Sequence, residues 1–294
     1  MHKIGLIDVG SNTIKMAVYS VEGKQFVQDW YHAEYAYLVS CMEQGNLSQE
    51  GIRRAGDVIG QFAQKAKELN CEQVYCFSTA SLRWVKNQEE VIRAVRETAG
   101  IQIHPISGEE EARYNFLSMR AAVKEDTFIG GDLGGGSAQL FYCQQGNYGG
   151  CESFPIGALK LKEEFVAGAY PDPDEMGRIK DHVKKTIAQF GKGAAFSRLY
   201  MMGGTMRLAS QLLGAKQGEP VLLNQMNELL NRYLSDLSAM EREVSAIQPE
   251  RKNTILPGLG VLTGLAEQLG AQELVYLQVS VREGLLMDRF LTES

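Results

Sequence analysis

The chain reads as an α/β protein of two domains, residues 1–125 and 126–280. Three observations carry that reading. An Asp-led strand–turn–strand pattern occurs twice, around Asp8-Val9-Gly10-Ser11-Asn12-Thr13 and around Asp132-Leu133-Gly134-Gly135-Gly136-Ser137. Short apolar runs are interspersed with stretches of helical period, as in folds that mix strands and helices. With 294 residues, 44% of them hydrophobic, two domains of ordinary size can be filled without disulfide staples.

Residues 3–9, 14–20 and 25–31 read as three antiparallel strands, and Tyr31, Tyr35, Tyr37, Leu38 and Val39 as a further extended segment. Ser48 caps a helix whose apolar stripe is Ile52, Ala55, Ile59, Phe62, Ala63, Ala66 and Leu69. Val74–Phe77 is a buried strand ending in the polar turn Ser78-Thr79-Ala80-Ser81-Leu82-Arg83. Asn87 caps a helix closed by Gly100, residues 101–106 form a strand, and Ser107-Gly108 opens a helix carrying Glu109, Glu110 and Glu111.

In the second domain two strands flank the triple glycine, and residues 149–155 continue the sheet. Gly157-Ala158 starts a short helix, and Pro171-Asp172-Pro173 leads into one of about five turns. Residues 199–202 form a strand ending at Gly203-Gly204-Thr205. Helices are expected near 205–213, 224–237 and 258–269, then a strand over 273–279 and a closing helix from Val281.

Composition excludes several classes. A net charge of −6 argues against a general nucleic-acid surface. Five cysteines without C-x-x-C spacing read as thiols of a reducing compartment, neither a disulfide frame nor a zinc site. Met1 leads straight into a strand without a secretory leader, and no apolar run reaches the ~18 residues of a spanning helix. The expectation is a soluble cytoplasmic protein without membrane or nucleic-acid partners.

The two Asp-led turns carry the chemistry. Glycines let the backbone approach a ligand closely. Consecutive peptide N–H groups in such a turn form an anion cradle. A carboxylate beside it can share a hydrated cation with a phosphate. A single glycine-rich turn is also compatible with a plain hairpin whose Asp caps the bend; the pair is more specific than either half. Paired in this way, the loops resemble those of the sugar kinase, heat-shock and actin superfamily, which grip nucleotide phosphates. Beyond the loops, the acids Glu109, Glu110 and Glu111 suit the positive end of a helix, and one of them can orient or deprotonate a water for attack on phosphorus. Spacing does not choose among them.

Four segments, 8–13, 78–83, 107–113 and 132–137, followed in order by Phe154-Pro155-Ile156-Gly157-Ala158, Gly203-Gly204-Thr205 and Arg282-Glu283-Gly284, resemble the exopolyphosphatase and guanosine pentaphosphate phosphatase family over nearly the whole chain. The resemblance implies a two-domain actin-like (ribonuclease H-like) fold with an active-site cleft between the domains and the helix over 281–294 packing back on the first. It implies a phosphoanhydride hydrolase using Mg2+ or another divalent cation and acting on the terminal phosphate of inorganic polyphosphate. Guanosine pentaphosphate is the alternative substrate. An actin-like kinase and a non-catalytic polyphosphate or alarmone binder are the further alternatives. By resemblance Glu111 activates water, Asp132 holds metal and terminal phosphate, and Arg83 clamps phosphate. Ser11, Asn12, Thr13, Lys15, Gly134, Gly135, Gly136 and Ser137 bind phosphate. Asp8, Asp132 and Glu111 are the metal ligands, with Asp8 equally readable as a turn cap. A homodimer is implied by the same resemblance.

The chain departs from the family in places. Lys15 stands where many relatives carry Arg, and the chain lacks the C-terminal helical domains of long members. Met206 and Arg207 do not form a clear purine pocket. His2, His32, His104 and His182 are isolated from one another. Arg178, Lys180, Lys184 and Lys185 read either as a solvated helix face or as a track for a polyanion.

Overall fold

The continuous apolar run Ile4-Gly5-Leu6-Ile7 at the start of the chain favours a strand buried on both faces. In the computed structural model, which describes residues 2–83, 85–191 and 196–291, β1 (His2–Val9), β2 (Thr13–Glu22) and β3 (Gln25–Tyr35) form an antiparallel meander. The extended segment expected up to Val39 stops at Tyr35. Tyr37 is left-handed at φ 49°, and Leu38–Cys41 form a 3-10 turn. The N–H groups of Ala36 and Tyr37 go to the Asn12 carbonyl and that of Val39 to the Ser11 carbonyl, so the ladder is not continued. After the two-residue strands β4 (Met42–Glu43) and β5 (Asn46–Leu47) comes α1 (Gln49–Glu68), capped as expected by Ser48, whose Oγ accepts from the Gly51 N–H at 3.3 Å. Ile52, Ala55, Ile59, Phe62 and Ala66 bury its apolar stripe, each large side chain contributing roughly 1.5–3 kcal/mol.

β6 (Gln73–Ser78), the short α2 (Ala80–Arg83), α3 (Gln88–Ala99), β7 (Ile103–Pro105) and α4 (Gly108–Ala122) follow. Gly100 closes α3 at φ 70°. Asn87 precedes α3 without capping it. Its amide instead accepts from the Leu47 N–H at 2.9 Å and donates to the Leu47 carbonyl at 3.0 Å, pinning β5. The sheet order is β3-β2-β1-β6-β7, with β1, β6 and β7 parallel.

The second sheet repeats this plan. β8 (Phe128–Leu133), β9 (Ala138–Gln144) and β10 (Asn147–Phe154) make another antiparallel meander. They are followed by α5 (Ala158–Phe165), α6 (Pro173–Thr186), β11 (Arg198–Met202), α7 (Gly204–Leu212), β12 (Pro220–Leu222), α8 (Leu223–Ser235), α9 (Leu237–Ile247), α10 (Ile255–Leu269), β13 (Glu273–Tyr276) and α11 (Val281–Phe290). β8, β11 and β13 are parallel, in the order β10-β9-β8-β11-β13-β12. α10 is apolar almost all round and forms the centre of this core.

Details differ from the sequence reading. α6 has 14 residues, about four turns, ending at Thr186 with Ile187 as its C-cap. The final strand ends at Tyr276, short of residue 279. α9 was not expected; Asp236 caps it by accepting from the Ala239 N–H at 2.9 Å.

The described residues up to Glu111, with those from Leu285 on, cluster as one unit, and Ala112–Gly284 form the other. The 125/126 division read from sequence falls between α4 and β8. In the first unit the end of α11 packs on β6 through an edge-on Phe290–Tyr75 contact at 6.1 Å and Arg289 over the Tyr75 ring at 5.3 Å. Residues 292–294 of the expected closing helix, and Met1, lie outside the described residues. Among the described residues no helix is long and apolar enough to cross a membrane.

Candidate functional site

In open α/β sheets, ligands bind outside the carboxyl ends of parallel strands. In the first unit those ends carry every motif singled out above: the 10–13 loop after β1, the Ser78–Arg83 turn after β6 and Ser107–Glu111 after β7. Asp8 is the penultimate residue of β1, 6% exposed, and directly opposite Lys15 in the ladder, so the two side chains share a face. Within the loop the Gly10 N–H donates to the Thr13 carbonyl at 3.1 Å. The Asn12 carbonyl accepts from the Ala36 and Tyr37 N–H groups and the Ser11 carbonyl from Val39, each at 2.9 Å. Ser11 and Asn12 are exposed, and their N–H groups have no backbone acceptor among the described residues.

The three acids of α4 separate cleanly. Glu109 is exposed. Glu110 belongs to a capping box: its carboxylate accepts from the Ser107 N–H at 2.9 Å, and the Ser107 Oγ accepts from the Glu110 N–H at 3.0 Å. The Ser107 backbone hydrogen bond, with help from Arg289 at 3.1 Å, holds the Glu110 carboxyl below its ordinary value. Glu111 is 9% exposed and accepts from Arg83 Nη2 at 2.6 Å, while Arg83 Nε donates to the Ile106 carbonyl at 3.2 Å. Arg83 therefore fixes the orientation of Glu111 and bridges the ends of β6 and β7.

The second unit builds the same device differently. Asp132 is again penultimate in its strand and opposite Gln139, whose side-chain oxygen accepts from Asn115 Nδ2 at 2.7 Å. The Gly134 N–H donates to the Ser137 carbonyl at 2.9 Å, as Gly10 does to Thr13. The Gly134 and Gly135 carbonyls accept from the N–H groups of Ala158, Leu159 and Lys160, the first turn of α5, at 2.9 to 3.1 Å. Gly134, Gly135 and Gly136 are exposed and Ser137 half-buried. The N–H groups of Gly135, Gly136 and Ser137 have no acceptor among the described residues.

Comparison with known proteins bears on this arrangement. The profile of the Ppx/GppA phosphatase family matches residues 39–293. The chain belongs to the Ppx/GppA phosphatase family. It is 22% identical to exopolyphosphatase 1 of Mycobacterium bovis, over 99% of this chain and 89% of that protein. It is 23% identical to exopolyphosphatase 1 of Mycobacterium leprae, over 99% of this chain and 91% of that protein. The crystal structure of the Aquifex aeolicus member of the Ppx/GppA family superposes with a TM-score of 0.88 at 21% identity, covering 100% of this chain and 99% of that one. An exopolyphosphatase from Cytophaga hutchinsonii gives 0.85 at 18% identity, with 98% of both chains covered. The fold is the two-domain actin-like one.

Against that family background, Arg251 was missed by the sequence reading. Its guanidinium lies against Gly204, where an added Cβ would come within 1.9 Å of Nη2, and Nη1 is 3.4 Å from Thr205 Oγ1. A cation at the N-terminus of α7 opposes the helix dipole and places positive charge beside Gly204 and Thr205. The signal in sequence was only an Arg before an apolar helix. Three members of the basic run on α6 lie beside carboxylates. Lys180 bonds Glu267 at 2.5 Å, Lys184 bonds the same carboxylate, and Arg178 lies 3.9 Å from Glu175. His32, His104 and His182 lie against aromatic rings.

No three His, Cys, Asp or Glu side chains converge as a metal cage among the described residues. Mg2+ does not need one, since it keeps several waters and takes one or two carboxylates plus phosphate oxygens. The second unit fits that demand. At Gly203, φ 94°, a Cβ would lie 2.7 Å from Asp132 Oδ1 and 3.0 Å from the Leu133 carbonyl, so the glycine keeps open a space lined by hard oxygen donors.

Proposed function

We propose that this phosphatase removes the terminal phosphate of inorganic polyphosphate, with each Asp-led loop offering donors to phosphate oxygens. The observation that carries the proposal is the repeated loop construction at the carboxyl ends of parallel strands. In each loop the carbonyls are tied from behind, and N–H groups of Ser11 and Asn12, or of Gly135, Gly136 and Ser137, are left for phosphate oxygens.

In this reading Glu111 accepts a proton from a water as its oxygen attacks the terminal phosphorus in line and the bridging P–O bond breaks toward the shortened chain. Arg83 holds the Glu111 carboxylate in position and contributes charge near the phosphate. Lys15, Thr13 and Arg251 add donors. Asp132, Asp8 and Glu111 would hold magnesium, which supplies positive charge to offset the phosphate oxygens. The curated relatives named exopolyphosphatase support polyphosphate as the substrate. Guanosine pentaphosphate ends in the same bond and is the competing substrate. Five cysteines that form no disulfide among the described residues fit the cytoplasmic setting proposed with it, and a homodimer is the proposed assembly.

The test is phosphate release from polyphosphate of defined length with magnesium, beside guanosine pentaphosphate, for the wild type and Glu111→Gln. Turnover in the variant should fall about a thousandfold, with polyphosphate binding retained and the melting temperature measured as a check on folding. No phosphate release by the wild type from either substrate would refute the proposal; undiminished turnover in Glu111→Gln would remove Glu111 as the base.

A further inference from the structure

One face of the second sheet is apolar except at the end that carries Asp132. On it Phe128, Phe141 and Met202 pack with Phe116 and Met119 of α4. Side chains alternate along a strand, so Asp132 and its ladder partner Gln139 share the face of Phe128 and Phe141. Gln139 follows the 134–137 loop and is 6% exposed. Asn115, one turn before Met119 on α4, is 1% exposed. Its Nδ2 donates to Gln139 Oε1 at 2.7 Å.

This pair of amides is incomplete. Asn115 Oδ1 is shielded from solvent and has no hydrogen-bond partner among the described residues. A buried acceptor left in that state is costly, and an apolar side chain of similar size would close the face without the cost. What the pair yields is orientation. A carboxamide carries its acceptor and its two donors on opposite edges. With Oε1 held by Asn115, the Nε2 edge of Gln139 is turned away from it, and its N–H groups meet no acceptor among the described residues. The cost is therefore tied to presenting a neutral donor on the face of Asp132, beside a phosphate loop.

We infer that Gln139 is a substrate-binding residue whose Nε2 donates to a non-bridging oxygen of a phosphate on the 134–137 loop, and that Asn115 is the positioning residue that aims it. The inference rests on the reading that this loop binds phosphate. A carboxylate at position 139 would repel phosphate and draw a cation. The amide does the reverse, so on this face the cation falls to Asp132 and the phosphate oxygen to Gln139. The donor is engaged as fully before the phosphorus is attacked as during the attack, so it contributes to binding and leaves turnover nearly unchanged.

Two measurements on the full chain with magnesium test this: kcat and KM for polyphosphate of defined length, and calorimetric binding of inorganic phosphate, which needs no turnover. Gln139→Met, similar in size but without donors, should raise KM and weaken phosphate binding by about tenfold, with kcat within about twofold. Gln139→Glu should bind phosphate more weakly still. Asn115→Leu should raise KM about threefold on its own and add nothing to Gln139→Met, because it acts only through that amide. An unchanged KM in Gln139→Met, or a loss confined to kcat and melting temperature, overturns the donor and leaves the pair a structural one. Recovery of binding in Gln139→Glu relative to Gln139→Met overturns it too, since an acceptor would then be what the place requires. A wild type that releases no phosphate refutes the proposed hydrolysis, while tenfold weaker phosphate binding by Gln139→Met would still support the donor. A wild type that binds no phosphate refutes the loop reading and the donor with it.

Discussion

Residues 10–13 and 134–137 occupy the same place in their sheets but are held from behind by different means. In the second unit the loop carbonyls lean on the first turn of a regular helix, α5, whose N–H groups need acceptors in any case. In the first unit the acceptor role meets an irregular segment, Ala36 to Val39, with a left-handed tyrosine in it. Glycine content follows the support. The α5-backed loop has three consecutive glycines and needs a fourth at Gly157. The other has Gly10 alone, with Ser11 and Asn12 in the bend. What makes an anion receptacle is thus the tethering of carbonyls, and glycine count is a consequence of how closely the tether approaches.

The comparison is most easily broken at Gly157. A Cβ there would lie 2.2 Å from the Gly135 carbonyl oxygen and 2.4 Å from the Gly136 carbonyl carbon, with backbone and not a flexible side chain in the way. Gly157→Ala should destabilise the protein by about 3 kcal/mol and abolish most phosphate release by displacing the 134–137 loop. Urea unfolding and a phosphate-release assay read the two effects. A variant with wild-type stability and activity would show that the α5 contact is not what shapes this loop.

Much of this was legible in the sequence. Short apolar runs gave the meanders, Ser48 gave the α1 cap, and the Asp-x-Gly pattern located both loops. The parts that escaped depend on partners distant along the chain. Nothing near Tyr37 announces that its N–H is claimed by Asn12, so the segment read as strand. Glu109, Glu110 and Glu111 are chemically alike, and only Ser107, Arg289 and Arg83 tell them apart. Arg251 lies 46 residues from Thr205 in sequence, beyond any local signal. Lys180 and Lys184 looked like a free basic face because Glu267 comes from another helix.

A smaller effect is expected at the other helix start. α5 gives its free N–H groups to loop carbonyls, whereas α4 closes its own end with the Ser107–Glu110 box. Glu110→Ala should cost about 1 kcal/mol at neutral pH. The sign of the pH dependence follows from the lowered Glu110 carboxyl. Its contribution is complete above the ordinary glutamate value of 4.5 and is lost as pH falls through the lower folded value. The stability gap between wild type and Glu110→Ala should therefore narrow on acidification below 4.5. A gap independent of pH would mean that packing, and not the charged cap, holds the start of α4.

The smallest effect distinguishes the two supports most sharply. Tyr37→Gly removes a left-handed side chain, a relief of about 1–2 kcal/mol. It also adds unfolded-state freedom worth about 0.5–1 kcal/mol and loses a ring stack worth about 0.5 kcal/mol. These terms nearly cancel, so the net change should lie within about 0.5 kcal/mol, although the residue tethers a loop as Gly157 does. The backbone N–H that reaches Asn12 is kept in the variant, which is why the tether should survive. Denaturant unfolding of Tyr37→Gly beside Gly157→Ala measures the contrast. A loss above about 2 kcal/mol would mean that the tyrosine ring supports the loop by packing, and the distinction between a tether made by backbone alone and one made by the side chain would fail.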